Sequence, residues 1–529
     1  MSNRSYAVLL LALTGLVPAA IAVGCGTTYD DFVLPLLDPK LAGDAGGTGG
    51  ADGGTGGSGG SGGTGGSIPA GCIPSENVGA VDATCGVFVS SSLGGDGNPG
   101  TPDKPLKNLS TAIALAQSKG KPVYACGETF DTEAVSITSD VTLYGALDCA
   151  NDKTPWAYDA SKKTSLAPTA DAIALVISKA TTSVEVFDFA ITSANAEQAG
   201  GSSIAVLVAQ ASASFTRCEV TAGDGKDGAA GEPFASPATA GANGIAGGDA
   251  CTQNIVVGAD SAPSTCDATS ISGIGGNGTT NSGGAGSPGE PQGAANGGSG
   301  EGSMICTAGT TGDDGPPGDP GLGAESLGTI AATGYTGVSG GAGTPGHVAQ
   351  GGGGGGGAKG GTGAGKCAAG ATGGASGGSG GSGGCGGLGG KGGGAGGASI
   401  AIASISATLS FTDVTLNAGN GGKGGDGGAG QLGGSGGDPG PGGVAKPTYA
   451  SLNDACPGGP GGKGGGGGKG GGGRGGHAIG IAYTGNAAPA ITGVSFKNKG
   501  ASGDGGKGDS ASASTSDGAK GQLTDVQKF

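Results

Sequence analysis

Short alternations of apolar and polar residues recur along the chain and predict β-strands. Residues 200–225 read GGSSIAVLVAQASASFTRCEVTAGDG, and residues 396–421 read GGASIAIASISATLSFTDVTLNAGNG, which aligns with the first copy without a gap. A third copy with one inserted residue spans 475–505, and a degenerate copy spans 171–195. Each copy holds two short strands and cannot bury a face alone, so the copies are expected to stack on one another.

Stacked copies without helices between them predict an all-β chain that forms a parallel β-helix, in which each copy is one coil. The alignment places Phe189, Cys218 and Val414 at one equivalent position. We expect these three residues to point inward and to form a column along the axis.

Two glycine-rich tracts, residues 224–395 and 422–474, separate the copies. Each begins after Ala-Gly-x-Gly and ends before Gly-Gly-x-Ser/Ala-Ile, so both are predicted to be insertions at one corner of the coil. Glycine accounts for 134 of the 529 residues, and its GG-x rhythm allows two interpretations. The tracts are either mobile loops or ordered bundles of polyproline-II-like segments that pair backbone to backbone, resembling polyglycine II.

The N-terminus combines Arg4 with an apolar stretch at 7–22 that is too short to span a membrane, which predicts a signal peptide over 1–24. It ends in Ala-Val-Gly before Cys25, which resembles the lipobox of bacterial lipoproteins. That resemblance implies that Cys25 is lipidated. Gly26 stands where an inner-membrane retention signal would carry Asp, so an outer-membrane anchor with a periplasmic or surface-exposed chain is expected. Residues 25–67 are rich in Gly and Ser and predict a flexible tether.

Twelve cysteines fit an exported, oxidised protein. Lipidation of one would leave eleven, so at least one is unpaired or joined to another chain. Close spacing suggests four local disulfides: Cys72–Cys85, Cys126–Cys149, Cys251–Cys266 and Cys367–Cys385.

Three serines follow Val87-Phe88-Val89, and residues 93–120 then read LGGDGNPGTPDKPLKNLSTAIALAQSKG, with Thr101, Pro105 and an alanine-rich helix at about 109–118. It resembles the entry segment of pectin-lyase-like right-handed parallel β-helix proteins. That resemblance implies a capping helix, ended at Gly120, and first coils within 68–223. The glycine-rich insertions resemble the PGRS-like proteins of myxobacteria. Further coils are expected at 396–421 and 475–505, followed by a polar tail at 506–529.

The formal net charge is −16, which argues against nucleic acid as a partner. Sparse cations in the glycine tracts are expected to be solvated. They are Lys391, Lys423, Lys463, Lys469 and Arg474. His347 and His477 are isolated, and no Cys-x-x-Cys occurs, so both histidines are expected at the surface and no zinc site is predicted.

The candidate chemistry lies at the alignment position before the inward column, where Asp188, Arg217 and Asp413 are equivalent. They are expected to form an acid–base–acid ladder, which is either a structural ion-pair ladder or a sugar-processing site. The segments 421–426 and 433–438 resemble the start of a calcium-binding β-roll repeat, but the apolar position is glycine in both. No cofactor is predicted, and calcium binding at these two segments is left as an open alternative.

These observations predict a lipid-anchored protein of the bacterial cell surface with a structural or adhesive role, in contact with the membrane and with polysaccharide or other envelope components. The sequence favours a binding protein over an enzyme because the ladder lacks further catalytic residues. The alternative is a polysaccharide lyase or hydrolase of the pectin-lyase-like class.

Overall fold

A computed structural model describes residues 71–77, 79–132, 134–179 and 183–529. Within these ranges the regular structure is mostly β. The strands, in chain order, are β1 (Val87–Val89), β2 (Val123–Cys126), β3 (Thr129–Phe130), β4 (Val135–Ile137), β5 (Thr142–Asp148), β6 (Ala157–Tyr158), β7 (Thr164–Leu166), β8 (Leu175–Ser178), β9 (Ser183–Phe187), β10 (Phe189–Thr192), β11 (Ser203–Ala209), β12 (Ser212–Thr216), β13 (Glu219–Thr221), β14 (Thr329–Ala331), β15 (Gly334–Thr336), β16 (Ser399–Ile405), β17 (Thr408–Thr412), β18 (Val414–Ala418), β19 (Ala478–Thr484), β20 (Val494–Lys499) and β21 (Leu523–Lys528). The helices are α1 (Leu109–Lys119) and α2 (Ala513–Ser516), with short 3-10 turns at Pro74–Glu76, Pro447–Tyr449 and Ser510–Ser512.

Three parallel sheets contain most of the strands. The first sheet has the order β1-β2-β5-β9-β12-β17, the second β20-β18-β13-β10-β7-β3, and the third β21-β19-β16-β11-β8-β4. From β9 to β19 the strands of the three parallel sheets follow one another in rotation, first, second and third, in the order β9, β10, β11, β12, β13, β16, β17, β18, β19. Small antiparallel additions are β6 against β5 and the hairpin β14–β15. The predicted all-β class with parallel sheets is confirmed.

The predicted inward column is present in the second sheet. The register pairs Ala190 with Glu219 and Glu219 with Thr415, so the preceding residues Phe189, Cys218 and Val414 are aligned. Each of these three side chains is about 1% exposed. The column is part of one continuous hydrophobic core that all three sheets share.

The helix α1 begins and ends close to the predicted positions. Its buried residues are Leu109, Ala112, Ile113 and Ala116, and the helix packs against β1, β2 and β4. Gly120 has φ 61°, a left-handed conformation that favours glycine, and its N–H donates to the Gln117 carbonyl.

The chain leaves the second sheet after β13 and after β18, and both times it returns in the third sheet, at β16 and β19. The intervening residues form what we call the glycine bundle (residues 224–324, 338–397 and 420–476). Its N–H groups donate to a neighbouring segment at every third residue: Gly241 to Ser435, Gly244 to Asp438, and Gly247 to Pro441. A period of three residues is that of the polyproline II helix. Of the two interpretations left open by the sequence, the structure has the ordered one.

The segment 340–358 lies at the centre of the glycine bundle and has six neighbouring segments. Three consecutive residues, Gly352, Gly353 and Gly354, account for all six. Their N–H groups donate, in that order, to the carbonyls of Gly381, Thr310 and Ser287. Their carbonyls accept, in the same order, from the N–H groups of Gly273, Gly459 and Gly298. A Cβ atom on Gly354 would lie 1.9 Å from the Ile274 carbonyl oxygen, so only glycine fits this position.

Five disulfides occur among the described residues, and two predicted pairings are correct: Cys72–Cys85 and Cys126–Cys149. The predicted pairings Cys251–Cys266 and Cys367–Cys385 are wrong. The bonds present in the glycine bundle are Cys251–Cys367, Cys266–Cys385 and Cys306–Cys456. Because the bundle brings together segments that are far apart in the chain, each cysteine faces a distant partner rather than its sequence neighbour.

Two of the residues expected at the surface are buried instead. Arg474 is 4% exposed, and its Nη1 group donates to the Glu325 carbonyl. His477 is 0% exposed, and its ring contacts the rings of Tyr335 and Phe529 edge-on. The segment that contains the hairpin β14–β15 contacts both side chains, through Glu325 at Arg474 and through Leu327 and Tyr335 at His477. His347, Lys391, Lys423 and Lys463 are exposed as expected, and Lys469 is half-buried.

Candidate functional site

Asp188, Arg217 and Asp413 lie at one corner, between strands of the first and second sheets. Each directly follows a first-sheet strand and precedes a second-sheet strand, and their φ angles are 60°, 52° and 56°. Gly493 occupies the same position in the next copy, with φ 81°. Asp adopts this left-handed conformation more readily than most residues, whereas Arg does so at a cost that its contacts must offset.

The Asp188 carboxylate and the Arg217 guanidinium form a two-pronged ion pair. Arg217 Nε lies 2.8 Å from Asp188 Oδ1, and Nη2 lies 2.7 Å from Oδ2. The Tyr158 hydroxyl donates to Asp188 Oδ1 at 2.9 Å. Asp188 is 4% exposed, so its charge is compensated by a cation and a hydroxyl donor rather than by water.

The electrostatics of the pair follow from these contacts. The hydrogen bonds that Arg217 donates to Asp188 raise the pKa of the guanidinium above its usual value. Burial raises the pKa of Tyr158, and the hydrogen bond from its hydroxyl to Asp188 raises it further. The Arg217 guanidinium is therefore charged and the Tyr158 hydroxyl is neutral at neutral pH.

Asp413 does not join the pair. It is exposed, and within the described part of the chain its carboxylate has no hydrogen-bond or ion-pair partner. The expected acid–base–acid ladder is thus one buried ion pair beside one free acid. Retaining and inverting glycosidases use two carboxylates that both reach the scissile bond, and burial of Asp188 does not meet that requirement. The geometry supports a structural role for Asp188 and Arg217, and catalysis at the ladder stays a hypothesis.

An aromatic column on the outer face of the first sheet leads to this ion pair. Phe88, Tyr124, Tyr144 and Phe187 stack in register, with ring centroids 5.1, 5.4 and 5.0 Å apart. The Arg217 guanidinium carbon lies 6.0 Å from the Phe187 ring centroid, at the end of the column.

The N-terminal disulfide segment covers the start of this column. The Tyr124 hydroxyl donates to the Cys72 carbonyl at 2.7 Å, and Trp156 packs edge-on against Phe88. Trp156 completes this cover and Tyr158 bonds to the ion pair. Both residues come from the β5–β6 excursion, which has no counterpart in the repeated copies.

Cys218 is the one free cysteine among the described residues. It lies in the buried column, and burial raises the pKa of its thiol to about 11, so it has little thiolate character at neutral pH. Ten other described cysteines are in disulfides. Cys25, the twelfth, lies outside the described residues, as do the signal peptide and tether.

No group of three or more His, Cys, Asp or Glu side chains within the described ranges is arranged to hold a metal ion. In the two calcium-like segments the polar groups serve the glycine bundle. Asp426 Oδ1 accepts the Lys507 N–H at 2.6 Å, and the Asp438 N–H donates to Asn243 Oδ1 at 2.9 Å. No helix in the described residues is long and apolar enough to cross a bilayer.

Comparisons with known proteins yield little similarity. No family model matches the chain, and no curated protein matches it. Among solved structures, a selenomethionine form of the GH136 lacto-N-biosidase from Eubacterium ramulus is 14% identical, with a TM-score of 0.19 over 26% of this chain and 26% of that chain. The native form of the same protein gives 14% identity and a TM-score of 0.16 over 25% and 26%. Each match spans about a quarter of that chain, and similarity this slight carries no argument about fold or function.

Proposed function

We propose that this chain is a lipid-anchored protein of the bacterial envelope with a structural or adhesive role at the outer membrane. The observation that carries the proposal is the state of the cysteines. Five disulfides and the buried thiol of Cys218 account for eleven of the twelve. Cys25 is left over, directly after Ala-Val-Gly and before a Gly/Ser-rich tether, and it is the residue that a lipid anchor would modify.

We further propose that the three sheets are the walls of a right-handed parallel β-helix. Support comes from the rotation of the chain through the three sheets and from the strong preference of parallel crossovers for the right hand. In this arrangement α1 caps one end, the coils lie within 68–223, 396–421 and 475–505, and the bundle is a polyglycine-II-like arm. At about 3.1 Å per residue, the segment from Gly340 to Ala358 is about 55 Å long.

A binding role fits the geometry better than catalysis. The candidate carboxylate Asp188 is buried in an ion pair, and the arm ends in loops fastened by the Cys251–Cys367 and Cys306–Cys456 disulfides. A rigid arm that carries loops at its end suits contact with polysaccharide or other envelope components. The net charge of −16 makes nucleic acid an unsuitable partner.

The anchor is tested by metabolic labelling with an alkyne fatty acid in a Gram-negative host, followed by membrane fractionation. The wild-type chain should carry the label and sediment with the outer membrane. Cys25→Ala should lose both, whereas Cys218→Ala, the matched control, should keep both. An unlabelled wild-type chain would exclude the lipid anchor.

The binding role is tested with a panel of acidic and neutral polysaccharides, with retention and new reducing ends both measured. Retention without new ends supports an adhesive role. New ends that disappear in Asp413→Asn would replace it with the lyase or hydrolase alternative.

A further inference from the structure

The outer face of the first sheet changes character along the sheet. One register position runs through Phe88, Tyr124, Tyr144 and Phe187 and continues to Thr216 and Thr412. Four stacked aromatic rings, of which the last is half-buried, are thus followed by two hydroxyl side chains. The covering segment with Cys72 and Trp156 packs on the aromatic half.

Beyond Phe187, every outward-facing residue of β12 and β17 carries a hydroxyl group. The burial of both strands alternates, and the inward residues are apolar. The outward residues pair in register as Ser212 with Thr408, Ser214 with Ser410, and Thr216 with Thr412. We call these six residues the hydroxyl grid.

The hydroxyl grid is open to solvent and its hydroxyls are unused by the fold. Its three β12 residues are half-buried and its three β17 residues are exposed. No other group in the described residues accepts from or donates to any of the six hydroxyls. By contrast, the buried Thr164 hydroxyl is used by the fold: its Oγ1 donates to the Cys126 carbonyl at 2.8 Å.

The spacing of the grid is fixed by the backbone. Neighbouring strands lie about 4.8 Å apart, and alternate residues along a strand lie about 6.7 Å apart. The β-branched threonines have restricted χ1 angles, so their hydroxyl positions are well defined before any ligand binds. Each hydroxyl can donate one hydrogen bond and accept others.

From this arrangement we infer that the hydroxyl grid is a binding surface for an uncharged polysaccharide. A sugar polymer presents hydroxyl groups at regular intervals and exchanges hydrogen bonds with a regular row of donors and acceptors, directly or through water. No charged residue lies within the grid, whereas the charged residues Glu185, Arg217 and Asp413 border it. The inference deepens the proposed adhesive function and rests on it.

The test uses the full-length chain, purified in mild detergent, in pull-downs on cellulose, chitin and agarose, with alginate as the anionic comparison. The grid variant combines Thr216→Val, Ser410→Ala and Thr412→Val, which remove hydroxyls and keep the side-chain shape or β-propensity. The matched control combines Thr415→Val and Ser495→Ala, two adjacent outward residues of the second sheet.

We expect the wild type and the control to bind at least one uncharged polymer with equal affinity, independently of salt, and the grid variant to bind at least tenfold more weakly. Equal binding by the grid variant would overturn the inference and leave the adhesive function intact. Failure of the wild type to bind any polymer would overturn both. Binding confined to alginate and lost at high salt would overturn the inference, because it would show that the protein recognises the charge of the polymer rather than its hydroxyl groups.

A second measurement uses only the wild type, so its result does not depend on the folding of the grid variant. Hydroxyl-radical footprinting of the wild type with the bound polymer should protect 408–412 and 212–216. Protection that lies only at the loops of the glycine bundle would overturn the inference.

Discussion

The β-sheet core and the glycine bundle bury different parts of the chain. In the sheets, apolar side chains fill the interior, and the backbone hydrogen bonds lie in the walls around them. In the bundle the backbone itself is the interior, and residues 351–357 are seven consecutive buried glycines. The comparison teaches that a compact, ordered structure can form without a side-chain core if each peptide group has a partner.

Truncation of a core side chain should give the largest effect. Phe215 is fully buried and stacks on Phe411 with ring centroids 6.1 Å apart. Phe215→Ala should lower the free energy of unfolding by about 4 kcal/mol, because it removes apolar contacts and leaves a cavity. Leu432→Ala, in the bundle and 64% exposed, should change it by less than about 0.5 kcal/mol. Thermal and denaturant unfolding measure the free energy of unfolding of both variants. Equal losses in the two variants would contradict the proposed difference between the two regions.

The opposite change, addition of a methyl group, should be costly only in the bundle interior. Gly354→Ala should lower the free energy of unfolding by about 3 kcal/mol, because its Cβ would meet the Ile274 carbonyl oxygen. Gly466 is the matched control, since the nearest atom to its added Cβ would be 3.7 Å away. Gly466→Ala should be neutral or slightly stabilising. A tolerated Gly354→Ala would mean that the central segment is not close-packed.

A smaller effect is expected from the buried serines that brace two bundle segments. Ser376, Ser379 and Ser382 are 0% exposed, and each Oγ accepts a backbone N–H, at 2.8 Å from Ile245 in the case of Ser379. Ser379→Ala should cost about 1–2 kcal/mol because that N–H loses an acceptor. Exposed Ser435→Ala serves as the control. Hydrogen exchange at the Ile245 amide reports the local loss, and unchanged exchange would contradict it.

The smallest effect concerns pH at the junction of the bundle and the sheets. His477 Nδ1 accepts the Gln522 N–H at 2.8 Å, and Nε2 bonds to the Leu327 carbonyl at 2.8 Å, an arrangement of the neutral ring. Burial lowers the pKa of His477, and the charge of Arg474 lowers it further. Since the unfolded chain titrates near 6.5, it takes up the proton first, and stability is lost as the pH falls below about 6.5.

Between pH 7.5 and 5.5 the wild type should lose about 1 kcal/mol that His477→Gln does not lose. His347→Gln, at an exposed site, should behave as the wild type does. Unfolding curves at each pH separate the three proteins. An unchanged pH slope in His477→Gln would show that the loss arises elsewhere.

Much of the sheet region could be predicted because its copies align in sequence. The alignment of 171–195, 200–225 and 396–421 places Phe189, Cys218 and Val414 in one column, and side-chain periodicity fixes which face is inward. The same alignment pairs SASFT (212–216) with TLSFT (408–412), so the positions of the hydroxyl grid could have been read from it. Tyr158 could not be found in this way because it lies in an excursion that occurs in one copy only.

The bundle was harder to predict because glycine carries no side chain to mark a direction. A GG-x rhythm is compatible with an ordered bundle and with a mobile loop. Only the presence of neighbouring segments, such as the six around 340–358, decides between them, and the sequence does not show these neighbours. The disulfides depend on the same packing, so sequence proximity was a good guide for Cys72–Cys85 and a poor one for Cys251–Cys367. Arg474 and His477 are contacted by the segment around the hairpin β14–β15, and the sequence had no local signal for its place on the third sheet.

The inter-segment hydrogen bonds of the bundle also determine how it would carry a mechanical load. They join neighbouring segments sideways, so a force applied along the arm loads many of them in shear at once rather than one after another. The Cys251–Cys367, Cys266–Cys385 and Cys306–Cys456 bonds tie distant segments together covalently. A pull on the loops at its end is therefore shared among many neighbouring segments before it reaches the sheets.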